Sequence, residues 1–355
     1  MQPLLVMIGG FLGAGKTTLM LAAASRLRAA GHRVGILTND QAGELVDSSL
    51  ARTAGFETGE ITGGCFCCRF SDFFDAAERL RTSLEQPDVL FAEPVGSCAD
   101  LAATVLRPLR RFYPQSFRIA PLTVLVDPRR VERLNDPHIA YLFRNQLAEA
   151  DLVCFTKADL YPEFPDLDGV EARRVSAVTG EGLDDWLRAV FDSSGVAGER
   201  QLSIDYGLYA DAEASLGWMN WSAELRARQP LTPAAVAGPL LDYIDRRLSA
   251  EDAAIAHVKV FDRAASGWVK AAICENGQEP FIDGMLDASP ATRHDIVLNI
   301  RATADPALLE RIVAEAPFNG RLRVHSKEAF RPAPPKPEHR LPSSSPDGTA
   351  RLPFS

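Results

Sequence analysis

Residues 10–17 join three glycines to a lysine and a threonine, a combination that suits the binding of nucleotide phosphates. They fit the pattern G-x-x-x-x-G-K-S/T at every fixed position, as Gly10, Phe11, Leu12, Gly13, Ala14, Gly15, Lys16 and Thr17. Such glycines let successive backbone N–H groups point at the phosphates, and a helix that begins there adds the positive end of its dipole. We expect Lys16 to reach the β- and γ-phosphates and the Thr17 hydroxyl to ligate Mg²⁺, with Thr18 beside them. A glycine-rich turn without function is disfavoured, because an apolar run precedes the motif and a helix-forming run follows it.

A second motif predicts which base is bound. The apolar run 152–155 leads into T-K-A-D, a variant of the N-K-x-D element of GTPases, with Thr156, Lys157 and Asp159 at its fixed positions. The Asp159 carboxylate can accept from guanine N1–H and from the exocyclic amine together. Adenine has no donor at N1 and would leave that charge unpaired. The motif therefore favours GTP over ATP, against the alternative of an ordinary strand followed by a charged turn.

Further along the chain, an S-A pair supports the same interpretation. Ser176 and Ala177 are followed by T-G-E-G-L, in the order and at the distance typical of the second base-contacting loop of GTPases. One position departs from the usual pattern, because Thr156 stands where asparagine is commoner. We expect this difference to remove an amide that usually ties the base-reading loop to the phosphate loop.

A carboxylate that ends an apolar run is the candidate for hydrolysis. Residues 89–92 are apolar, Glu93 follows them, and Gly96 comes three residues later. Beside a phosphate loop, Glu93 can hold a Mg²⁺-bound water or orient the attacking water, and the Gly96 N–H can turn toward the γ-phosphate. We assign Lys16, Thr17 and Glu93 to the catalytic set. The plainer alternative is that Glu93 caps the helix that follows.

Three closely spaced cysteines predict a metal site. Cys65, Cys67 and Cys68 form C-x-C-C after two glycines, so three thiolates can close around one borderline-soft ion such as Zn²⁺. The sequence leaves two options for the fourth ligand, which are an oxygen of Asp40 or Glu44 and a solvent molecule. Apolar packing and a redox switch are the competing interpretations. The isolated cysteines are expected to serve packing, and they are Cys98, Cys154 and Cys274.

Short apolar runs alternate with helix-length amphipathic stretches through roughly the first 190 residues. This predicts an α/β domain over residues 1–195, a P-loop NTPase parallel sheet with helices on both faces and its ligand residues at the strand C-termini. Mixed extended and helical patterns over residues 203–330 predict a smaller α+β domain, with a ferredoxin-like arrangement as one option. Residues 331–355 are rich in proline and serine and are predicted to be a disordered tail.

Composition excludes several classes of function. The formal net charge of −9 over 355 residues argues against a nucleic-acid partner. The apolar runs are of strand length, so no membrane span is predicted. The start of the chain has no basic leader, which predicts a cytoplasmic protein. Six cysteines are too few for a disulfide framework in a chain of this length.

With G-F-L-G-A-G-K-T-T, G-G-C-F-C-C, E-P-V-G and T-K-A-D in this order, the chain resembles the CobW-type family of GTPase metallochaperones. That family is related to the GTPases that insert nickel into urease and hydrogenase. The resemblance is dense over residues 4–190 and thins over residues 203–330. It implies a GTPase that binds zinc, cobalt or a similar divalent ion and delivers it to a client metalloprotein or cofactor pathway.

The resemblance also implies roles for particular residues. Glu93 matches the carboxylate linked to hydrolysis, and Lys157 and Asp159 match the guanine readers. The metal ligands that match are Cys65, Cys67 and Cys68.

Two features differ from the family pattern. The six histidines are scattered rather than clustered, so collection of metal from a dilute pool is not supported. The family's N-E-F-G-E loop appears here as N-D-Q-A-G-E over residues 39–44.

Two other functions stay open, namely a nucleotide-gated metal sensor or buffer and a GTPase that gates a corrinoid-type cofactor on a client enzyme. The oligomeric state, including a homodimer, is left open as well.

Overall fold

The computed structural model of the chain describes residues 2–39, 41, 46–83, 85–132, 134, 136–192 and 197–343. These residues divide into two compact units. The first unit contains those between 2 and 41, between 50 and 212, and between 334 and 343, and the second contains residues 46–49 and 213–333. These units are groups of residues in mutual contact, and the predicted domain bounds of 1–195 and 203–330 stay a prediction.

The first unit is built on a sheet whose strands are short and apolar. These strands are β1 (Leu4–Gly10), β2 (Val34–Asn39), β3 (Glu57–Ile61), β4 (Val89–Glu93), β5 (Arg118–Ile119), β6 (Thr123–Val126), β7 (Leu152–Phe155) and β8 (Ala172–Arg174). The helices that accompany them along the chain are α1 (Lys16–Ala29), α2 (Val46–Thr53), α3 (Phe70–Arg81), α4 (Arg107–Phe112), α5 (Pro128–Glu132), α6 (Pro137–Glu149), α7 (Leu183–Phe191) and α8 (Tyr206–Ala214). A π-helical turn, Ala102–Leu106, leads into α4.

The strands run in the order β3-β2-β4-β1-β6-β7-β8, with β5 also paired to β1, and every pairing is parallel. Leu4, Val6 and Ile8 pack in one core cluster with residues of α1 and α7, while Leu5 and Met7, which point the other way, are also buried. Helices α3 and α6 contact β2, β3 and β1. Burial on both faces explains the continuous apolar runs, and the predicted parallel α/β sheet is confirmed.

The second unit is a sheet of longer, antiparallel strands. They are β9 (Gly217–Leu231), β10 (Ile255–Ala264), β11 (Gly267–Ile273), β12 (Phe281–Gly284), β13 (Ala291–Ala302) and β14 (Gly320–Phe330). Its helices are α9 (Pro233–Ala250) and α10 (Pro306–Ala314), and their apolar sides pack in one cluster with the sheet.

The order of these strands is β12-β11-β10-β13-β9-β14. Strands β9, β10, β13 and β14, with α9 and α10 between them, reproduce the ferredoxin-like β-α-β-β-α-β unit, and β11 and β12 extend it at one edge. The ferredoxin-like option is therefore confirmed. No helix among the described residues of either unit is both long and apolar enough to cross a membrane.

The prediction of disorder from Arg331 onward is wrong for residues 331–343. Residues 334–343, which we call the C-terminal strap, group with the first unit, where the Leu341 N–H donates to Ala103 O at 2.9 Å and Arg107 donates to Leu341 O at 2.8 Å. The prolines that suggested disorder also restrict the unfolded chain, so ordering this segment costs less entropy. Residues 344–355 lie outside the described residues.

Candidate functional site

The phosphate loop connects the end of β1 to the start of α1. Gly10 has a φ of +131°, and a Cβ there would lie 2.5 Å from Leu125 O on the neighbouring strand β6. Gly13 and Gly15 have φ values of +81° and +87°, and Gly15 is the residue before α1. Only glycine tolerates these conformations readily, so the loop needs the three glycines of the motif.

Two side chains of the first turn of α1 are buried at this loop. The Lys16 ammonium donates to Gly10 O at 2.9 Å and to Phe11 O at 3.5 Å. The Thr17 hydroxyl donates to Glu93 Oε1 at 3.0 Å, which places the end of β4 against the start of α1. The structure thus brings together the three residues that we assigned to catalysis. Thr18 follows them in α1, half-buried.

Gly96 lies directly against the phosphate loop. A Cβ at this position would come 2.7 Å from Leu12 Cδ2 and 3.1 Å from the Lys16 ammonium. On the other side, the Gln146 amide of α6 donates to Gly96 O at 3.0 Å. A larger residue at this position would displace the Leu12 side chain, and the close approach places this backbone beside the lysine of the phosphate loop.

The two base-reading loops meet, as the sequence predicted. Ser176 Oγ donates to Asp159 Oδ1 at 2.5 Å, so the S-A element fixes the carboxylate of the T-K-A-D element. Lys157, whose φ is +58°, donates to Asp127 Oδ2 at 2.5 Å. Asp127 at the end of β6 therefore positions the lysine. Ala177 follows Ser176 in the same loop and is partly buried.

The link between the T-K-A-D loop and the phosphate loop, which we expected Thr156 to remove, is present. The Thr156 hydroxyl donates to Ala14 O of the phosphate loop at 2.9 Å and to Val126 O at 3.2 Å. A buried hydroxyl here makes the link that we expected to need an amide. The base-reading loop and the phosphate loop are therefore tied directly.

The thiols of the C-x-C-C motif converge on one point. Cys65, Cys67 and Cys68 place their sulfurs within 4.8 Å of one another. The Cys65 and Cys67 sulfurs are 2.8 Å apart, and those of Cys67 and Cys68 are 3.8 Å apart. The turn is set by Cys65 O, which accepts the N–H groups of Cys68 and Arg69, both at 3.0 Å. Asp40 and Glu44, the predicted oxygen ligands, lie outside the described residues.

The clustered thiols shift one another's pKa values in opposite directions. Hydrogen bonds from Cys67 first, then from Cys68 and Cys98, hold the pKa of Cys65 well below its usual range. The hydrogen bonds with Cys65 and Cys68, together with burial, raise the pKa of Cys67 well above its usual range. The hydrogen bond with Cys65 also raises the pKa of Cys68 to about 12. Cys65 is thus the thiol of the cluster whose deprotonation its neighbours favour.

Asn39 connects the end of β2 to the cysteine loop. Its amide donates to Ile61 O at 3.1 Å and to Gly64 O at 2.8 Å, and its carbonyl accepts the Phe66 N–H at 2.9 Å. Asn39 is buried and is the first residue of the N-D-Q-A-G-E segment. Sequence reasoning treated this segment as a source of ligands and missed the structural link at its first residue.

Cys98 was predicted to serve packing, and its thiol is also one of the causes that lower the pKa of Cys65. The side chain is 1% exposed, in the turn where the Cys98 N–H donates to Val95 O at 2.9 Å. Among the described residues, the sulfurs that lie within 4.8 Å of one another are those of the three motif cysteines.

The C-terminal strap runs across the cysteine loop. Lys336 N–H donates to the Cys68 sulfur at 3.1 Å, and Glu338 N–H donates to Cys67 O at 3.0 Å. The Glu338 carboxylate accepts from both the N–H and the hydroxyl of Ser71, in the first turn of α3. The strap thus covers two of the three motif cysteines and fixes the helix that follows them.

An ion pair between the partly exposed Arg340 and the buried Asp100 anchors the strap beyond the cysteines. Arg340 donates to Asp100 Oδ2 at 2.6 Å, and Tyr206 donates to the same oxygen at 2.8 Å. Asp100 is 1% exposed and lies two residues after Cys98. The His339 ring packs against Phe70 and Phe112, with both ring-centroid distances 5.0 Å. The strap therefore holds the cysteine loop and the segment after Gly96 together.

A family model described as CobW/HypB/UreG, nucleotide-binding domain, matches residues 4–181. No curated protein matches the chain.

Among solved structures, the chain is similar to the hydrogenase maturation factor HypB from Archaeoglobus fulgidus, at 18% identity over 54% of this chain and 89% of that one, with a TM-score of 0.38. It is similar to HypB from Helicobacter pylori in complex with nickel, at 19% identity over 55% and 91% of the two chains, with a TM-score of 0.40. It is also similar to the Zn(II)-bound YjiA GTPase from E. coli, at 15% identity over 89% and 99%, with a TM-score of 0.35.

Removal of the strap is expected to expose the motif thiols. A chain ended after residue 333 should react with a disulfide reagent such as Ellman's at least about fivefold faster at Cys67 and Cys68, the factor that corresponds to one hydrogen bond of about 1 kcal/mol. Mass spectrometry of the labelled peptides measures the rate at each cysteine. The control is a chain ended after residue 343, which keeps the strap and should react like the full chain. Equal rates in both truncated chains would show that the strap does not protect the site.

Proposed function

Because the chain belongs to the CobW/HypB/UreG nucleotide-binding family, we propose that it is a GTP-binding and GTP-hydrolysing metallochaperone that carries a divalent transition metal on its C-x-C-C thiols. The observation that carries this proposal is the link made by Asn39. Its side chain joins the end of β2 to the cysteine loop through three hydrogen bonds. Because β2 pairs with β4, with Thr38 opposite Glu93, the cysteine loop and Glu93 lie at one edge of the sheet.

The contacts at Asp159 support guanine as the base. Ser176 donates to one carboxylate oxygen, and the other remains to accept from a base with adjacent N1–H and amine donors. Guanine has both donors, and adenine has neither in that arrangement. Lys157, held by Asp127, would lay its alkyl stem along the ring.

Hydrolysis would be carried out at the junction of α1 and β4. Lys16 would leave the Gly10 and Phe11 carbonyls and donate to the β- and γ-phosphates. Glu93 would orient the attacking water, with the Gly96 N–H close to the γ-phosphate. The side-chain oxygens of Thr17 and Glu93 lie 3.0 Å apart and are ligands of the kind that Mg²⁺ prefers. When bound, Mg²⁺ would neutralise part of the negative charge of the phosphates. We expect slow GTP hydrolysis, because these residues position the attacking water but do not include a cation from a partner protein that would stabilise the charge of the transition state.

The sulfur geometry suits a tetrahedral ion as cargo. Two sulfurs on a tetrahedral zinc lie about 3.8 Å apart, because each Zn–S bond is about 2.3 Å long. The 3.8 Å between the Cys67 and Cys68 sulfurs fits this value, and the 2.8 Å between Cys65 and Cys67 would widen. Zinc, cobalt and similar ions all accept such a thiolate set.

Release of the cargo would follow hydrolysis. The γ-phosphate would order the segments that begin at Asn39 and Glu93, and its loss would loosen the cysteine loop that both segments contact. The client would be a metalloprotein or an enzyme of a cofactor pathway, reached in the cytoplasm.

Asp159→Asn tests the base. The asparagine amide would lose one of the two carboxylate acceptors and turn an N–H donor toward the N–H donors of guanine. We therefore expect GTP affinity to fall at least about 100-fold. Xanthine nucleotides carry an oxygen in place of the exocyclic amine, and the variant should bind them more tightly than the unchanged protein does. Fluorescent-nucleotide titrations measure both affinities. Asp166→Asn, at an exposed position of the same unit, is the control, and unchanged GTP binding by Asp159→Asn would exclude the assigned role.

The pH dependence of zinc binding tests the thiol cluster. Cys67 and Cys68 have raised pKa values and must lose their protons to bind an ion, whereas the pKa of Cys65 is lowered. Zinc affinity should therefore rise with pH by roughly two decades per unit or more between about pH 6 and 8. Competition against a chelator with a known proton dependence measures the slope. A flat profile would show that these thiols are not the ligands, and the variant Cys67→Ala/Cys68→Ala should lose the dependence.

Nucleotide-dependent zinc affinity tests the delivery function. We expect zinc to bind about 5 to 150 times more tightly with a non-hydrolysable GTP analogue than with GDP, the range typical of coupled sites. Lys16→Ala, which should lose nucleotide binding, serves as the control and should show no difference. Equal affinities in the two states would refute the coupling. A multiple-turnover GTPase rate that is indifferent to zinc would favour a sensor or buffer instead.

A further inference from the structure

Three arginines lie side by side on one face of the sheet of the second unit. In the pairing of β9 with its neighbours, Arg226 is opposite Arg293 of β13 and also opposite Arg321 of β14. Residues that are directly opposite each other share a face, and like charges in such positions destabilise a sheet. The stability of the fold therefore does not explain this row of guanidinium groups.

The next row along the strands only partly neutralises this charge. It contains two carboxylates and two further arginines, which are, in order across the sheet, Arg263, Asp295, Glu224 and Arg323. Glu224 accepts from both Arg226 and Arg293, at 2.7 Å each, and these arginine side chains are 72% and 69% exposed. The five arginines of the two rows, which we call the arginine patch, thus present an excess of positive charge to solvent, although the whole chain has a formal net charge of −9.

Strand β14, which carries two of these arginines, is an edge strand of the sheet. It is 11 residues long, and among the described strands it pairs with β9 alone. The strand at the other edge, β12, is only 4 residues long. Proteins usually keep exposed edge strands short, because a long one presents a row of backbone N–H and C=O groups that can pair with another chain. β14 therefore offers an open template for a further strand.

Two apolar side chains of β14 are exposed beside this edge. Leu322 and Val324 alternate with the arginines along the strand and are 37% and 51% exposed. Their partners on β9, Leu225 and Ala223, are buried in the core cluster that includes α9 and α10. The apolar face is thus covered as far as β9 and exposed at β14. The open edge has cations on one face and apolar side chains on the other.

We propose that β14 docks an extended acidic segment of a partner protein, which adds to the sheet as a further strand. Backbone hydrogen bonds along β14 hold the segment, and its alternate side chains lie on the two faces of the sheet. Acidic side chains meet the arginine patch, where each planar guanidinium can bind a carboxylate through two parallel hydrogen bonds. Apolar side chains cover Leu322 and Val324. The inference goes beyond the proposed function, because it concerns the second unit and holds whether or not the thiols carry a metal.

Other roles for this surface fit its features less well. A second copy of the chain would bring the arginines of its own β14 against the first, and the like charges would oppose the pairing. Nucleic acid would match the arginines but would leave the open backbone groups, Leu322 and Val324 without a use. Protection of an edge strand against aggregation explains charges on that strand, but Arg226 and Arg293 lie on the inner strands β9 and β13.

A fluorescent peptide in which glutamate and valine alternate tests the docking site. The full-length protein should bind it, and Arg321→Glu/Arg323→Glu should lower the affinity at least about 10-fold, because each change replaces an attraction by a repulsion. The variant should stay folded, since it relieves the repulsion between Arg321 and Arg226. Fluorescence anisotropy measures the affinity. Arg79→Glu/Arg246→Glu, at two exposed positions outside the arginine patch, makes the same change in net charge and should leave the affinity unchanged.

The order of residues in the peptide separates strand addition from simple charge attraction. A peptide of the same composition, with its glutamates in one block and its valines in another, should bind at least about 10-fold more weakly, because only alternation places the two kinds on opposite faces. Equal binding of the two peptides, or full affinity in Arg321→Glu/Arg323→Glu, would overturn the proposal. It would also be overturned if single-stranded oligothymidylate of the same charge bound more tightly than the alternating peptide, or if sedimentation showed a dimer that this variant dissociates. None of these failures would bear on the thiols or the nucleotide loops, so the proposed function would stand.

Discussion

The carboxyl edge of the parallel sheet is the constraint on which the candidate site depends. Strands that run in one direction end at one edge, so the residues that follow β1, β2, β4 and β7 are brought together although they are far apart in sequence. Asn39 and Glu93 are the last residues of β2 and β4, whereas the phosphate loop and Thr156 follow β1 and β7, and the cysteine loop follows β3. The strand order β3-β2-β4-β1-β6-β7 is therefore sufficient to bring these motifs to one edge of the sheet.

Within that edge, the segment from Glu93 to Asp100 makes most of the connections. Glu93 accepts from Thr17, and Asp100 accepts from Arg340 of the C-terminal strap. The strap also reaches the cysteine loop, because Lys336 N–H donates to the Cys68 sulfur. Hydrogen bonds therefore run from the phosphate loop through this segment and the strap to the cysteine loop, and such a contiguous network is one way in which two sites become coupled.

The sequence predicted those parts whose chemistry is local. The phosphate loop, the T-K-A-D run and the C-x-C-C cluster each depend on spacing within a few residues, and apolar periodicity was sufficient for the parallel sheet and the ferredoxin-like unit. Contacts between distant segments were missed. Nothing near Thr156 shows that its hydroxyl reaches Ala14 O, and an isolated Cys98 looks like any buried cysteine. The strap was misassigned because proline-rich composition indicates only that a segment makes little regular structure, and gives no information on which surface its few polar groups can bind.

The ion-free geometry of the thiols bears on how the two sites influence each other. The 2.8 Å separation of the Cys65 and Cys67 sulfurs is too short for two thiolates on one ion, which lie about 3.8 Å apart. Binding of an ion must therefore move Cys65 or Cys67. The loop that carries both cysteines is held by Asn39 at the end of β2. In the metallochaperone that we propose, such a movement would act on this strand end, and any effect of the metal on nucleotide affinity would be matched by an equal effect of the nucleotide on metal affinity.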